Sequence, residues 1–214
     1  MNWNPFVLSL QVAAPATLIV VIVGTGFGWL FARVRFWGRG VLQALLMLPL
    51  VLPPSVVGYY LLRFLGHGGP VQEVLGVNVL FTWVAAVLAS AFVALPLMLQ
   101  AAKAAIAGVD PVLEKAARTL GSSGPAVFVR VTLPLARRGL MAGAILAGAR
   151  ALGEFGATLM VAGNIPGRTQ TMPLYLYELV LNGQYSTANV VVAILTVFGL
   201  GCFLFIGLME RRHG

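Results

Sequence analysis

The sequence predicts an all-α integral membrane protein of about five transmembrane helices, and three observations carry that prediction. Of 214 residues, 59% are hydrophobic and only 9% charged, with a mean hydropathy of +0.93, whereas a soluble domain usually carries about 25% charge. The apolar residues gather in five runs suited to a hydrocarbon core of about 30 Å, which asks for about 20 residues at about 1.5 Å each. No alternating pattern of about ten residues appears, so these runs read as helices and not barrel strands, since lipid offers unpaired backbone groups no partner. The spans fall at approximately 6–31, 41–62, 79–99, 139–161 and 190–208, in a single transmembrane domain over 1–214.

The first span, Phe6 to Phe31, is expected to stay in the membrane. Met1 to Asn4 carries no basic residue, and the run exceeds the roughly 7 to 15 residues of a secretory signal core. Gly24-Thr25-Gly26-Phe27-Gly28 lies inside it and reads as a packing feature, not a nucleotide loop. In the second span, Pro49, Pro53 and Pro54 remove backbone donors and predict a kink whose freed carbonyls need a protein or water-lined partner. Such a helix either faces a translocation route or is kinked for packing alone. Ser55 and Tyr59 are i, i+4 neighbours beyond the kink, with hydroxyls able to contact a hydrated anion or to bond across helices.

Between the third and fourth spans lies a loop from Gln100 to Arg138, longer than a connection needs and predicted to have structure of its own. Asp110 suits an N-cap, Pro111 the first helical position, Glu114 the positive end of the dipole, and Gly121 the stop. Leu113, Ala116, Ala117 and Leu120 then share one face at i, i+3, i+4 and i+7, with Lys115 and Arg118 pointing away. Ser122 to Gly124 make a turn, and Pro125 opens a second short helix expected to end near Leu133-Pro134. The stripe either folds back on the ends of the spans or seats a partner, and two central alanines allow the closer approach that a partner needs.

The fourth span contains Arg150 and Glu154, four residues apart. An unpaired charge there costs on the order of 2.5 to 3.5 kcal/mol, so pairing along the helix is the default, with Arg150 offering its charge to a divalent oxyanion as the alternative. Gly153, Gly156 and Gly163 suit close packing or bending. The connection 162–189 begins with the turn Asn164 to Thr169, whose Arg168 suits either a plain loop or the receipt of an anion. Met172 to Asn182 is apolar but too short to cross, and predicts an interfacial or partly inserted helix. The single cysteine, Cys202, sits in the fifth span, which excludes a disulfide framework or thiolate metal site built from one chain.

The formal charge of +8 reads as topology and not as a nucleic-acid footprint. Eleven of the fourteen Lys and Arg fall on one side of the five spans, from Arg33, Arg35 and Arg39 through the long loop to Arg211 and Arg212. Arg63 and Arg168 fall on the other, and Arg150 lies inside the fourth span. The N-terminus is therefore expected outside and the C-terminus in the cytoplasm; a sixth span at 172–182 would put the last arginines on the wrong face.

Glu114-Lys115-Ala116-Ala117-Arg118-Thr119-Leu120-Gly121, followed by Val131-Thr132-Leu133-Pro134, resembles the Glu-Ala-Ala loop of importer permeases in the ATP-binding cassette superfamily. Lys115 stands between the glutamate and the two alanines, where the family pattern usually has none. Leu48-Pro49-Leu50-Val51-Leu52-Pro53-Pro54-Ser55-Val56-Val57-Gly58-Tyr59, with Leu152-Gly153-Glu154-Phe155-Gly156-Ala157-Thr158 and Asn164-Ile165-Pro166-Gly167-Arg168-Thr169, is similar to bacterial and archaeal molybdate permeases. Tungstate importers fit equally, and sulfate or thiosulfate permeases share the latter two stretches. The resemblance implies a type I importer-permease fold and a cytoplasmic coupling helix presenting Leu113, Glu114, Ala116, Ala117, Leu120 and Gly121 to an ATPase. It also implies a second copy of this chain, two ATPase subunits that bind ATP and Mg, and an external oxyanion-binding protein. The pathway residues expected on this reading are Pro53, Pro54, Ser55, Tyr59, Arg150 and Glu154.

No nucleophile triad, metal-ligand cluster or phosphate loop is present in the sequence, so no cofactor is expected on this chain and nucleotide hydrolysis is expected from a partner. A self-sufficient secondary anion carrier is the rival class. It fits less well, since no internal repeat is visible and Glu154 has no acid or histidine relay around it.

Overall fold

The computed structural model describes residues 4–211, and among these it is all-helical. Arg212 lies outside the described residues. The chain begins with α1 (Asn4–Arg33), followed by a short pair, α2 (Arg39–Val51) and α3 (Pro54–Leu65), and a single turn, α4 (Pro70–Leu75). Next come the long α5 (Trp83–Ala107) and the exposed α6 (Pro111–Thr119). After it, α7 (Gly124–Val127) passes through a π-helical turn, Phe128–Thr132, into α8 (Leu133–Leu152). The chain closes with α9 (Gly156–Ala162), α10 (Met172–Leu181) and α11 (Tyr185–Arg211).

Helix α5 is the axis of the bundle, packed between α1 and α8. Its Ala85, Ala86, Ala89, Ala94 and Ala102 have no exposed surface. Small side chains let neighbouring backbones close in, and in an apolar solvent that van der Waals contact is the main force joining helices. The glycines of α1 answer them: a Cβ on Gly24 would sit 2.7 Å from Met98 Cγ, and one on Gly28 2.6 Å from Ala102 Cβ. Packing is thus what the Gly-x-Gly-x-Gly run does, although Gly26 faces open space.

Among the described residues three helices are individually long and apolar enough to cross a membrane: α1, α5 and the Tyr185–Leu208 part of α11. The second and fourth expected spans are each a broken pair: the kink expected in the second is a full break, and the fourth is not the continuous helix expected. Between Arg39–Val51 and Pro54–Val74 the axis turns by 117°, far beyond a proline kink, and between Gly124–Leu152 and Gly156–Ala162 by 57°. At the first break Pro53 and Pro54 are consecutive, so neither can donate to an α-helical bond, and Pro53 becomes the cap of a new helix whose Val56 and Val57 N–H groups donate to its carbonyl. At the second, Gly153, Glu154 and Phe155 leave the helix, with Phe155 at φ −127°.

Other boundaries also move. The stretch 79–82 is not helical; Thr82 caps α5 by accepting from the Ala85 N–H at 3.3 Å, and the helix runs on to Ala107 instead of ending at 99. The inter-span connection is therefore 108–132, not 100–138. The second short helix does not stop at Leu133-Pro134. Its wide π turn lets the chain continue through Pro134, in the first turn of α8, where a missing N–H costs little. The connection 162–189 likewise gives up its last residues to α11, which begins at Tyr185. The short apolar helix near 172–182 forms as α10, seated on α11 through Met172, Leu179, Ala188 and Val191.

Candidate functional site

Two places assemble the residues singled out above. One is α6, at the end of the bundle that carries most of the basic side chains. Asp110 caps it by accepting from the Val112 N–H at 2.8 Å, Pro111 takes its first position, and Gly121 leaves it at φ +85°, a conformation glycine adopts without steric cost. Its stripe is unspent within the chain. Leu113 is 49% exposed and Leu120 87%, Ala116 is exposed, and Ala117 is half-buried. Lys115 and Arg118 are exposed as well.

The residue of α6 that turns inward is Glu114, which is buried. Its Oε1 accepts from Arg33 Nε at 3.1 Å and from the Thr132 hydroxyl at 2.7 Å. Arg33 Nη2 lies 3.1 Å from the same oxygen and donates to the Val109 carbonyl at 2.8 Å. The carboxylate thus joins the end of α1, the start of α6 and the entrance to α8. Sequence reasoning left this out: Arg33 and Thr132 lie 81 and 18 residues from Glu114, and the glutamate was singled out only for the helix dipole and the Glu-Ala-Ala resemblance.

The other place is the break between α8 and α9. A cavity of about 330 Å³ there is lined by Pro54, Ser55, Arg150, Glu154, Gly153, Phe155 and Gly156. Four of the six expected pathway residues therefore meet. Pro53 immediately precedes them as the cap of α3, while Tyr59 lies outside the cavity, 53% exposed with its ring 6.2 Å from that of Tyr60. Gly156 and Gly58 make the meeting possible. A Cβ on Gly156 would approach Pro54 Cβ to 3.1 Å, and one on Gly58 would come within 2.9 Å of Ala157 Cα, so α9 lies directly on α3.

Arg150 Nη2 stands 2.7 Å from Glu154 Oε2, as expected of the pair, although the helix ends between them. Glu154 Oε1 accepts from the Ala157 N–H at 2.8 Å. The break itself rationalises the charges: Arg150 occupies the last turn of α8, where the dipole favours a cation, and Glu154 the entry to α9, where it favours an anion. The Glu154 side chain is 1% exposed and that of Arg150 31%, so the cation is the more accessible of the two.

Arg168 is exposed at the end of the bundle opposite α6, where with Gly167 it borders a cavity of about 840 Å³ beside Leu8, Gln11 and Asn78. The turn behind it is built and not slack. Thr169, Gln170 and Thr171 are buried, Asn164 Nδ2 donates to Glu178 Oε2 at 3.0 Å, and Gln170 Nε2 donates to the same oxygen. Glu178 was not singled out from the sequence, where it is one polar residue in an apolar helix.

The family described as "binding-protein-dependent transport system inner membrane component" matches residues 24–213. The molybdenum transport system permease protein ModB of Escherichia coli (strain K12) is 47% identical over 183 residues, covering 84% of this chain and 80% of that protein. ModB of Mycobacterium tuberculosis (strain ATCC 25618 / H37Rv) is 41% identical over 214 residues, covering 95% and 80%. A crystal structure of a bacterial ABC transporter that imports alginate superimposes with a TM-score of 0.77 over 98% of this chain and 79% of that one, at 20% identity, a likeness of fold alone. By sequence, the chain belongs to the inner-membrane permease components of binding-protein-dependent transport systems.

Proposed function

We propose that this chain is the permease subunit of an ATP-driven importer and forms the route by which molybdate, or the chemically similar tungstate, crosses the cytoplasmic membrane. The unspent stripe of α6 carries the reading. A helix with Leu113, Ala116 and Leu120 exposed and Ala117 half-exposed beside them leaves apolar surface that a partner groove would cover. The partner is a separate ATPase, which binds ATP and Mg; this chain supplies no catalytic site. The names of the relatives, molybdenum transport permeases, support molybdate over sulfate or thiosulfate as the cargo.

In this reading two copies of the chain pair within the lipid, two ATPase subunits seat the two α6 helices, and an external binding protein delivers the oxyanion near Arg168. The distribution of basic residues supports a topology with α6 and the C-terminus in the cytoplasm and the N-terminus outside. Closure of the ATPases on ATP moves α6, the spans open outward to accept the anion, and hydrolysis restores the inward-facing state. Arg150 presents a cation to the passing dianion at the α8–α9 break. Its pairing with Glu154 keeps that attraction weak, which a pathway that must release its cargo requires.

Uptake of molybdate into proteoliposomes tests this. Uptake is expected only when the ATPase, ATP and the binding protein are all supplied. Uptake by the chain alone would establish a secondary carrier instead.

A further inference from the structure

We infer that Arg33, Glu114 and Thr132 form a stiff tether that carries the displacement of α6 into α1 and α8, making them positioning residues for the coupling of ATP hydrolysis to transport. The inference rests on α6 being the ATPase seat and names what joins that seat to the spans. Helix α6 hangs between two short connections, 108–110 on one side, packed through the buried Val109, and 120–123 on the other, the latter containing Gly121 at φ +85°. Its packing partners are chiefly α7 and the π turn, and its apolar side chains face outward. On these connections alone, one of them turning at a glycine, a pushed α6 would pass little of its movement to the spans.

The buried carboxylate removes that slack. Two hydrogen bonds from two other elements converge on Glu114 Oε1, from Arg33 Nε at 3.1 Å and the Thr132 hydroxyl at 2.7 Å, and Arg33 Nη2 completes the ion pair at 3.1 Å. Arg33 is the last residue of α1 and also grips the Val109 carbonyl, so its guanidinium holds both the connection and the helix behind it. Thr132 is the last residue before α8 and is 1% exposed. Charge-assisted bonds in a water-poor site are strong and short-ranged, so a shift of α6 by about an ångström breaks them unless α1 and α8 follow. Together α1 and α8 flank α5, so a load entering by both reaches the whole bundle.

The test is the number of molybdate ions transported per ATP hydrolysed by the reconstituted complex. Arg33→Met, Thr132→Val and Glu114→Gln are each expected to lower that ratio about two- to thirty-fold, the range seen for residues that modulate coupling, while the ATPase still co-purifies. Arg33→Lys, which keeps the charge and loses the fork, is expected to retain more of the ratio than Arg33→Met. Unchanged ratios in all variants, beside a coupled parent complex, overturn the tether and leave the functional reading standing. Uptake and hydrolysis falling in parallel, with loss of the ATPase, also overturn it, as an anchor of structure only. A parent complex that transports nothing overturns both.

Discussion

The two sites treat their polar and apolar groups in opposite ways. At the α8–α9 break the charges are met within the chain: a buried carboxylate meets an arginine and a backbone N–H, and glycines let α9 lie directly on α3 beside the cavity. At α6 one carboxylate is satisfied within the chain, but the apolar stripe is left bare. On the proposed function, the first is the part that must hold together inside the lipid, and the second is the part that another molecule would complete.

The contrast is sharpest in variants scored for stability, and Arg150→Met should show the largest effect. It leaves Glu154 buried against a single N–H and is expected to cost about 3 kcal/mol, read as a drop in the thermal midpoint of the purified protein. Arg150→Met with Glu154→Leu should cost clearly less than the two single changes added, since the pair couples. A strictly additive cycle would break the comparison. Gly58→Val comes next: its Cβ would press on the Ala157 backbone, and overpacking of this kind costs about 1 to 3 kcal/mol. Uptake should fall along with the thermal midpoint, because α3 and α9 line the same cavity.

Asp110→Ala removes the one side-chain cap of α6 and is expected to cost about 1 kcal/mol, visible as faster backbone hydrogen exchange across 111–119. The smallest effect on stability belongs to Ala117→Trp. At a half-exposed position it should shift stability by no more than about 0.5 kcal/mol, yet abolish co-purification of the ATPase. Retained co-purification and full uptake would show that the stripe is not a seat.

What the sequence discloses differs between the sites for physical reasons. The cap, first turn and stop of α6 were readable because they depend on neighbours within a few residues: Asp110 to Val112, Pro111, and Gly121. The packing of Gly24 and Gly28 on α5 followed from small residues in an apolar run. The breaks were half legible. Paired prolines announce an interruption, but the 117° turn depends on where α3 finds α9, through Gly58 and Gly156. Hydropathy averages across such a gap, so 139–161 looked continuous although 153–155 leave the helix. Most hidden was the inward role of Glu114, which only folding brings to Arg33 and Thr132.

The central claim is that the outward face of α6 seats a separate ATPase, and thiol labelling tests it most directly. The one native cysteine, Cys202, can be replaced by alanine, and Leu120→Cys then reports on the stripe alone. Rapid maleimide labelling is expected in the isolated chain, where Leu120 is 87% exposed, and strong protection once the ATPase is bound. Equal labelling in both states would contradict the claim.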